Sequence, residues 1–238
     1  MRPLRPGALN MASQKKFLVL GATGTLGSAV AQALRILEQD VILVGHNTFL
    51  PQMLGCDVAN HRSVRNLAQQ VQEVIGDEKL DGIFYGVSRH SAAECRHAWH
   101  EETEAFSQTA ALAAMLSTEV IGMQIVLEKF TSLIRDGGKF AVASPTFAHQ
   151  GHGDPSFWNV LESSGINLWP YVAVKRMQSE WLAARARSQS CRFAPVEIPA
   201  RLIAEHSIIG VIPEGLPVHF LQRAYMFAQT ACRQLLED

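Results

Sequence analysis

The sequence predicts a doubly wound α/β fold, a parallel sheet held between helices in a three-layer α/β/α arrangement. Short apolar runs alternate with stretches of helical periodicity from near the start of the chain, which is the pattern of βαβ units. One of these runs, Phe17-Leu18-Val19-Leu20, leads directly into Gly21-Ala22-Thr23-Gly24-Thr25-Leu26-Gly27. Another, at 41–45, is unbroken, as a strand covered on both faces requires.

Taken in order, residues 17–20 form the first strand, and 28–38, with Ala, Leu and Val at helical spacing, the first helix. Residues 41–45 form the second strand and 53–58 a short third strand that ends in Asp57. Residues 62–75 repeat apolar side chains at helical intervals, and 81–87 form the fourth strand. Residues 109–135 are mostly helical, with Asp136-Gly137-Gly138 as the stop before a fifth strand at 139–143.

The stretch 145–170 is irregular, carrying Gly151, Gly153, Pro155, Gly165, Trp158 and Trp169, and reads as a loop insertion. A helix over 171–190, a sixth strand over 192–198 and a helix over 218–236 complete the chain. No internal repeat or low-complexity linker divides it. We expect a single domain over 15–238 behind a disordered segment at 1–14.

The 238 residues are 47% apolar, enough for a buried core, and carry a net charge of −1. The basic residues are dispersed, which argues against a nucleic-acid partner. Cys56, Cys95, Cys191 and Cys232 form no C-x-x-C unit and read as reduced thiols, an expectation of a cytoplasmic protein. Met1 to Asn10 lack the apolar stretch of a leader, and no run is long enough to span a bilayer, so no membrane partner is expected.

Two motifs carry chemistry. A glycine-rich turn between a buried strand and a helix lets backbone approach a pyrophosphate whose charge rests on the helix N-terminus. Gly21, Thr23, Gly24, Thr25, Leu26 and Gly27 are therefore candidate cofactor-binding residues. Far downstream, Tyr171-Val172-Ala173-Val174-Lys175 places a proton donor one helical turn before a cation.

With these motifs in this order, the chain resembles the short-chain dehydrogenase/reductase family over about 17–198. Gly21 to Gly27 is similar to the family's glycine turn in its G-x-x-G-x-x-G variant. Asp57-Val58 is similar to the acidic-apolar pair that contacts adenine after the third strand. Tyr171 and Lys175 are similar to the catalytic pair, and Ser144 to the catalytic serine. The resemblance implies a Rossmann-type dinucleotide-binding sheet, with Gly86 beside the cofactor.

It also implies roles. Tyr171 exchanges a proton with the substrate oxygen, Lys175 binds the nicotinamide ribose and lowers the tyrosine pKa, and Ser144 polarises the carbonyl. The chain departs from the family in four places. Ser144 lies about twice as far before the tyrosine as the family's serine, with Ser156 as a second candidate. Glu119 stands where a relay asparagine is expected, Tyr85-Gly86-Val87-Ser88 replaces N-N-A-G, and Pro199-Ala200 replaces Pro-Gly.

Cofactor choice rests on the end of the second strand, where an acid would hold a ribose 2′-hydroxyl and a base a 2′-phosphate. Gly45-His46-Asn47 has no acid, so His46 and Asn47 favour NADP(H) over NAD(H). No metal is expected: His90, Cys95, His97, His100 and Glu101 lack a paired ligand set, and the His149 to Asp154 stretch suits substrate contacts better than zinc.

The expected function is an NADP(H)-dependent oxidoreductase, interconverting a carbonyl and an alcohol on a small molecule, with a homo-oligomer possible. Two alternatives stay open: a non-catalytic NAD(P)-binding sensor or assembly protein, and an epimerase or dehydratase on the same scaffold.

Overall fold

The computed structural model describes residues 14–46, 48, 51–88, 112–145, 169–186, 192–198 and 218–236, with backbone alone at 144–145, 169–172, 186, 192–198 and 218–225. Six parallel strands make one sheet in the order β3-β2-β1-β4-β5-β6. They are β1 (Lys16–Leu20), β2 (Asp40–Gly45), β3 (Met53–Gly55), β4 (Leu80–Tyr85), β5 (Ile134–Pro145) and β6 (Arg192–Ile198). The order reverses between β1 and β4, and open parallel sheets bind ligands in the crevice at that reversal.

The helices are α1 (Thr25–Ile36), α2 (His61–Ile75), α3 (Gly122–Phe130), α4 (Trp169–Ala186) and α5 (Val218–Leu236). Side chains alternate across each strand, so both faces of the sheet are covered. Phe17, Val19, Phe84 and Ala141 pack with Val30, Leu34, Phe227 and Ala231 from α1 and α5. Leu18, Leu20, Ile83 and Phe140 pack with Val64, Leu67, Val126 and Phe130 from α2 and α3. Each fully buried Val, Leu, Ile or Phe among them contributes about 1.5–3 kcal/mol.

The six expected strands and the helices between them all form, and α5 has the limits read from sequence. Two details differ. Asp136-Gly137-Gly138 is not a helix stop: α3 ends at Phe130, a 3-10 turn spans Thr131–Leu133, and β5 has begun by Ile134. Leu80 pairs with Ile134 but Gly82 with Lys139, so the glycines sit in a bulge that the edge of β5 loops out. The third strand stops at Gly55, leaving Asp57 and Val58 just beyond it.

The approach to α3 is also irregular. Residues 112–116 are helical, and Ser117–Ile121 then form a π turn whose last bond joins the Gly122 amide to the Ser117 carbonyl. Such a turn widens the helix by one residue and re-aims the side chains on it. Glu119 stands in its middle.

Candidate functional site

The C-terminal ends of β1, β2 and β4 are tied by backbone bonds that the glycine turn completes. The Ala22 amide donates to the Val44 carbonyl, the Gly86 amide to the Leu20 carbonyl and the Gly24 amide to the Gly21 carbonyl, at 2.9, 3.0 and 2.9 Å. Above them lies a cavity of about 380 Å³, within the range of small-ligand sites. Gly21, Thr23, Gly24, His46, Asp57, Val58 and Gly86 line it, seven of the residues singled out from sequence.

The glycines of this turn are required by the backbone itself. Gly21 has φ +81°, and a Cβ there would stand 2.7 Å from the Gly86 carbonyl oxygen. Gly24 is the N-cap of α1 and supplies no side-chain cap, and the first turn holds no acid. The amides of that turn and the positive end of the helix dipole are therefore left for an anion. Thr25, Leu26 and Gly27 stand in the first turn of α1, outside the cavity lining, and Leu26 packs on the core. An anion over Thr23 and Gly24, which line the cavity, would take its hydrogen bonds from the uncapped amides that open α1, since the Ala22 and Gly24 amides are already bonded to carbonyls.

Another wall of the cavity is built by the chain leaving β3. The Asp57 amide donates to Ser63 Oγ and Asp57 Oδ1 accepts from the Ala59 amide, both at 3.0 Å. Asn60 Oδ1 then caps α2 by accepting from the Arg62 and Ser63 amides. This turn presents the exposed Asp57 carboxylate and the buried Val58 to the cavity. His46, exposed just past β2, lines the same cavity. Asn47 is outside the described residues.

Cys56 also lines the cavity. Burial pushes its thiol up, the Ser63 hydroxyl 3.6 Å away pulls the other way, and the Asp57 charge adds to the rise. It is a packed thiol rather than a nucleophile.

Beyond Ser88 and Thr118, which also face the cavity, a polar network is sealed inside the protein. Lys175 is 2% exposed and Glu119 wholly buried. The Lys175 Nζ lies 2.7 Å from Glu119 Oε2, a buried ion pair. The ammonium donates to Gln178 Oε1 at 3.1 Å and to the Ala143 carbonyl at 3.2 Å. Ser88 Oγ donates to Glu119 Oε1 at 2.9 Å, and Gln178 Nε2 to the Glu119 carbonyl at 2.7 Å. The Tyr85 hydroxyl donates to the Thr118 carbonyl at 2.6 Å.

Burial pushes the Tyr85 phenol well above the ordinary tyrosine range, with the Glu119 charge and Cys56 adding to it. Tyr85 is thus a neutral donor that anchors the π turn to β4. Charges buried this far are tolerated only when paired, and Glu119 with Lys175 meets that condition.

Tyr171 lies in the first turns of α4, four residues before Lys175, and Ser144 pairs with Glu197 near the end of β5. The side chains of both lie outside the described residues. So do Ser156, Trp158, the histidines of 90–100 and 149–152, and Pro199-Ala200. Among the described residues no group of His, Cys, Asp or Glu is arranged to hold a metal, and no helix is long and apolar enough to cross a membrane.

Sequence reasoning set Glu119 aside as a mismatch and did not connect it to Ser88 or Lys175. The available signal was an acid between Thr118 and Val120 in an apolar helical stretch, which needs a buried cation.

No family model and no curated protein matches this chain. Solved structures do match it at low identity. The protein lin1944 from Listeria innocua is 17% identical, with a TM-score of 0.61 and 94% of each chain covered. A Thermoplasma acidophilum aldohexose dehydrogenase is 12% identical, with a TM-score of 0.64, 93% of this chain and 87% of that one. A short-chain dehydrogenase from Streptomyces avermitilis is 19% identical, with a TM-score of 0.54, 78% of this chain and 65% of that one. This chain shares with these structures a doubly wound parallel α/β fold.

Proposed function

Starting from that fold, we propose that the chain is an oxidoreductase that binds NADP(H) and interconverts a carbonyl and an alcohol on a small molecule. The observation that supports this reading best is the cavity at the sheet's reversal point, where Gly21, Gly24 and the uncapped end of α1 meet Asp57, Val58 and Gly86. In this reading a pyrophosphate lies at the uncapped end of α1 with an adenosine beside Asp57 and Val58. When bound, reduced nicotinamide supplies a hydride equivalent.

The chain's own residues would do the rest. In the reducing direction the Tyr171 hydroxyl gives its proton to the substrate oxygen as the carbonyl carbon gains the hydride, leaving a tyrosinate that water reprotonates. Ser144 would hold that oxygen. Lys175, one turn after Tyr171, would position the ribose and bias the phenol. His46 at the rim favours the 2′-phosphate of NADP(H).

One observation favours a second reading, a nucleotide-binding protein without turnover: the Lys175 ammonium is already surrounded by Glu119, Gln178 and Ala143. Fluorescence titration with NADPH and NADH, followed by cofactor oxidation against a panel of aldehydes and ketones, tests both. Turnover lost in Tyr171→Phe with binding retained supports the oxidoreductase. Tight binding without turnover on any carbonyl supports the second reading.

A further inference from the structure

The π turn ahead of α3 has an irregular bond at its end. In an α-helix the Gly122 amide would donate to the carbonyl four residues back, that of Thr118. Here it donates to the carbonyl five residues back, that of Ser117. The Thr118 carbonyl is left without that amide in the interior of the protein, where an unbonded carbonyl is costly. Tyr85 makes up the loss. Its side chain is 1% exposed at the end of β4, and its hydroxyl donates to the Thr118 carbonyl at 2.6 Å.

Three residues of the cavity wall rest on this turn. Thr118 belongs to the turn and lines the cavity. Ser88, also in the lining, donates its hydroxyl to the Glu119 carboxylate at 2.9 Å. Val58 lies so close to Gly122 that a Cβ there would stand 3.0 Å from the Val58 carbonyl oxygen. Two side chains clasp the turn from outside it: Tyr85 on the Thr118 carbonyl and, from α4, Gln178 on the Glu119 carbonyl at 2.7 Å. Tyr85 refers the turn to the sheet itself, because the next residue, Gly86, is tied to the end of β1 by its amide.

Taking the cavity as the cofactor site, as above, we propose that Tyr85 is a positioning residue whose hydroxyl fixes the register of the π turn and through it the place of Thr118 in the wall. Affinity for a nicotinamide dinucleotide then depends on a phenol outside the cavity lining. Without the hydroxyl, the Thr118 carbonyl takes the Gly122 amide, and the carbonyl passed over becomes that of Ser117, a partly exposed residue. The peptide between Thr118 and Glu119 tilts, and Thr118 withdraws from the wall.

Crystal structures of the full chain and of Tyr85→Phe test the register with no ligand present. The Gly122 amide should donate to the Ser117 carbonyl in the first and to the Thr118 carbonyl in the second. Fluorescence titration with NADPH tests the wall, using the unsubstituted chain, Tyr85→Phe, Thr118→Ala and the double variant. Each single substitution should weaken binding by about fivefold or more. The double variant should bind no more than about twofold less tightly than the weaker single variant, because both changes act through Thr118.

A phenol that only stabilises the fold would lower the urea midpoint and leave the register and the affinity as they were, and that result overturns the proposal. So does a double variant in which the two losses multiply. Should Tyr85→Phe not fold, NMR of the unsubstituted chain decides: coupling through the hydrogen bond from the Gly122 amide to the Ser117 carbonyl, with a slowly exchanging Tyr85 hydroxyl, supports the proposal, and coupling to the Thr118 carbonyl overturns it. The cofactor reading fails separately, by absence of NADPH binding to the unsubstituted chain, and the register in the two crystals still decides whether Tyr85 sets the turn.

Discussion

A Cβ on Gly27 would stand 2.1 Å from the carbonyl oxygen of Gly21. The start of α1 is thus pressed against the end of β1 as closely as backbone allows, and this contact sets the height of the helix N-terminus over the cavity. Gly27→Ala must push the two elements apart. We expect about 1–3 kcal/mol of lost stability in urea unfolding, together with NADPH affinity weakened at least about tenfold as the Gly24 end of the helix moves. Unchanged affinity would show that the turn does not hold the pyrophosphate.

Removing one member of a buried ion pair leaves the other charged and unpaired. Lys175→Met or Glu119→Gln alone should each destabilise the fold by about 3–5 kcal/mol, and the double variant by much less than the sum of the two. Urea midpoints for the four proteins measure the coupling. Additive losses would mean that the two groups do not interact.

Tyr85 gives a pH dependence. Its phenol ionises in the unfolded chain near pH 10 and well above that when folded, mainly through burial. The folded state therefore holds the proton more tightly, so this contribution is intact below about pH 10 and is lost as the pH rises further. Cys232, pushed up by burial to about 11, acts with the same sign, beginning at the lower pH where an ordinary thiol ionises. Tyr85→Phe should flatten the alkaline loss of stability. At pH 7 it should cost about 1–3 kcal/mol, because the Thr118 carbonyl loses its donor. Thermal unfolding across neutral and alkaline pH checks both effects.

His46 offers a specificity test of the proposed cofactor preference. His46→Glu would set a carboxylate at the cavity rim, where it repels a 2′-phosphate and accepts from a 2′-hydroxyl. The ratio of NADPH to NADH affinity should fall by at least about tenfold, the worth of one hydrogen bond to a charged group. An unchanged ratio would place the 2′-position elsewhere.

What could be read from sequence was what neighbouring residues encode among themselves. The glycine turn follows a continuous apolar run, so Gly21 and Gly24 stand out in the sequence, and both line the cavity. The strands other than β3 were legible because Val, Leu, Ile and Phe gather in each, whereas β3 is only Met53-Leu54-Gly55. The bulge at Asp136 to Gly138 was not, because glycines after a helix and glycines in a looped-out strand carry the same local signal. Glu119 was misjudged for a related reason: in isolation it was only the wrong residue at an expected asparagine.

By itself, the sequence determined the layered α/β architecture and the glycine turn between β1 and α1, since both follow from periodicity and from residues a few positions apart. The tertiary structure alone decided the partners of Lys175. They come from the π turn before α3, from β5 and from α4 itself, and the segment after β4 reaches them through Glu119. A buried charge must find its counterion wherever the fold delivers one, and local pattern does not reveal which distant carboxylate that will be.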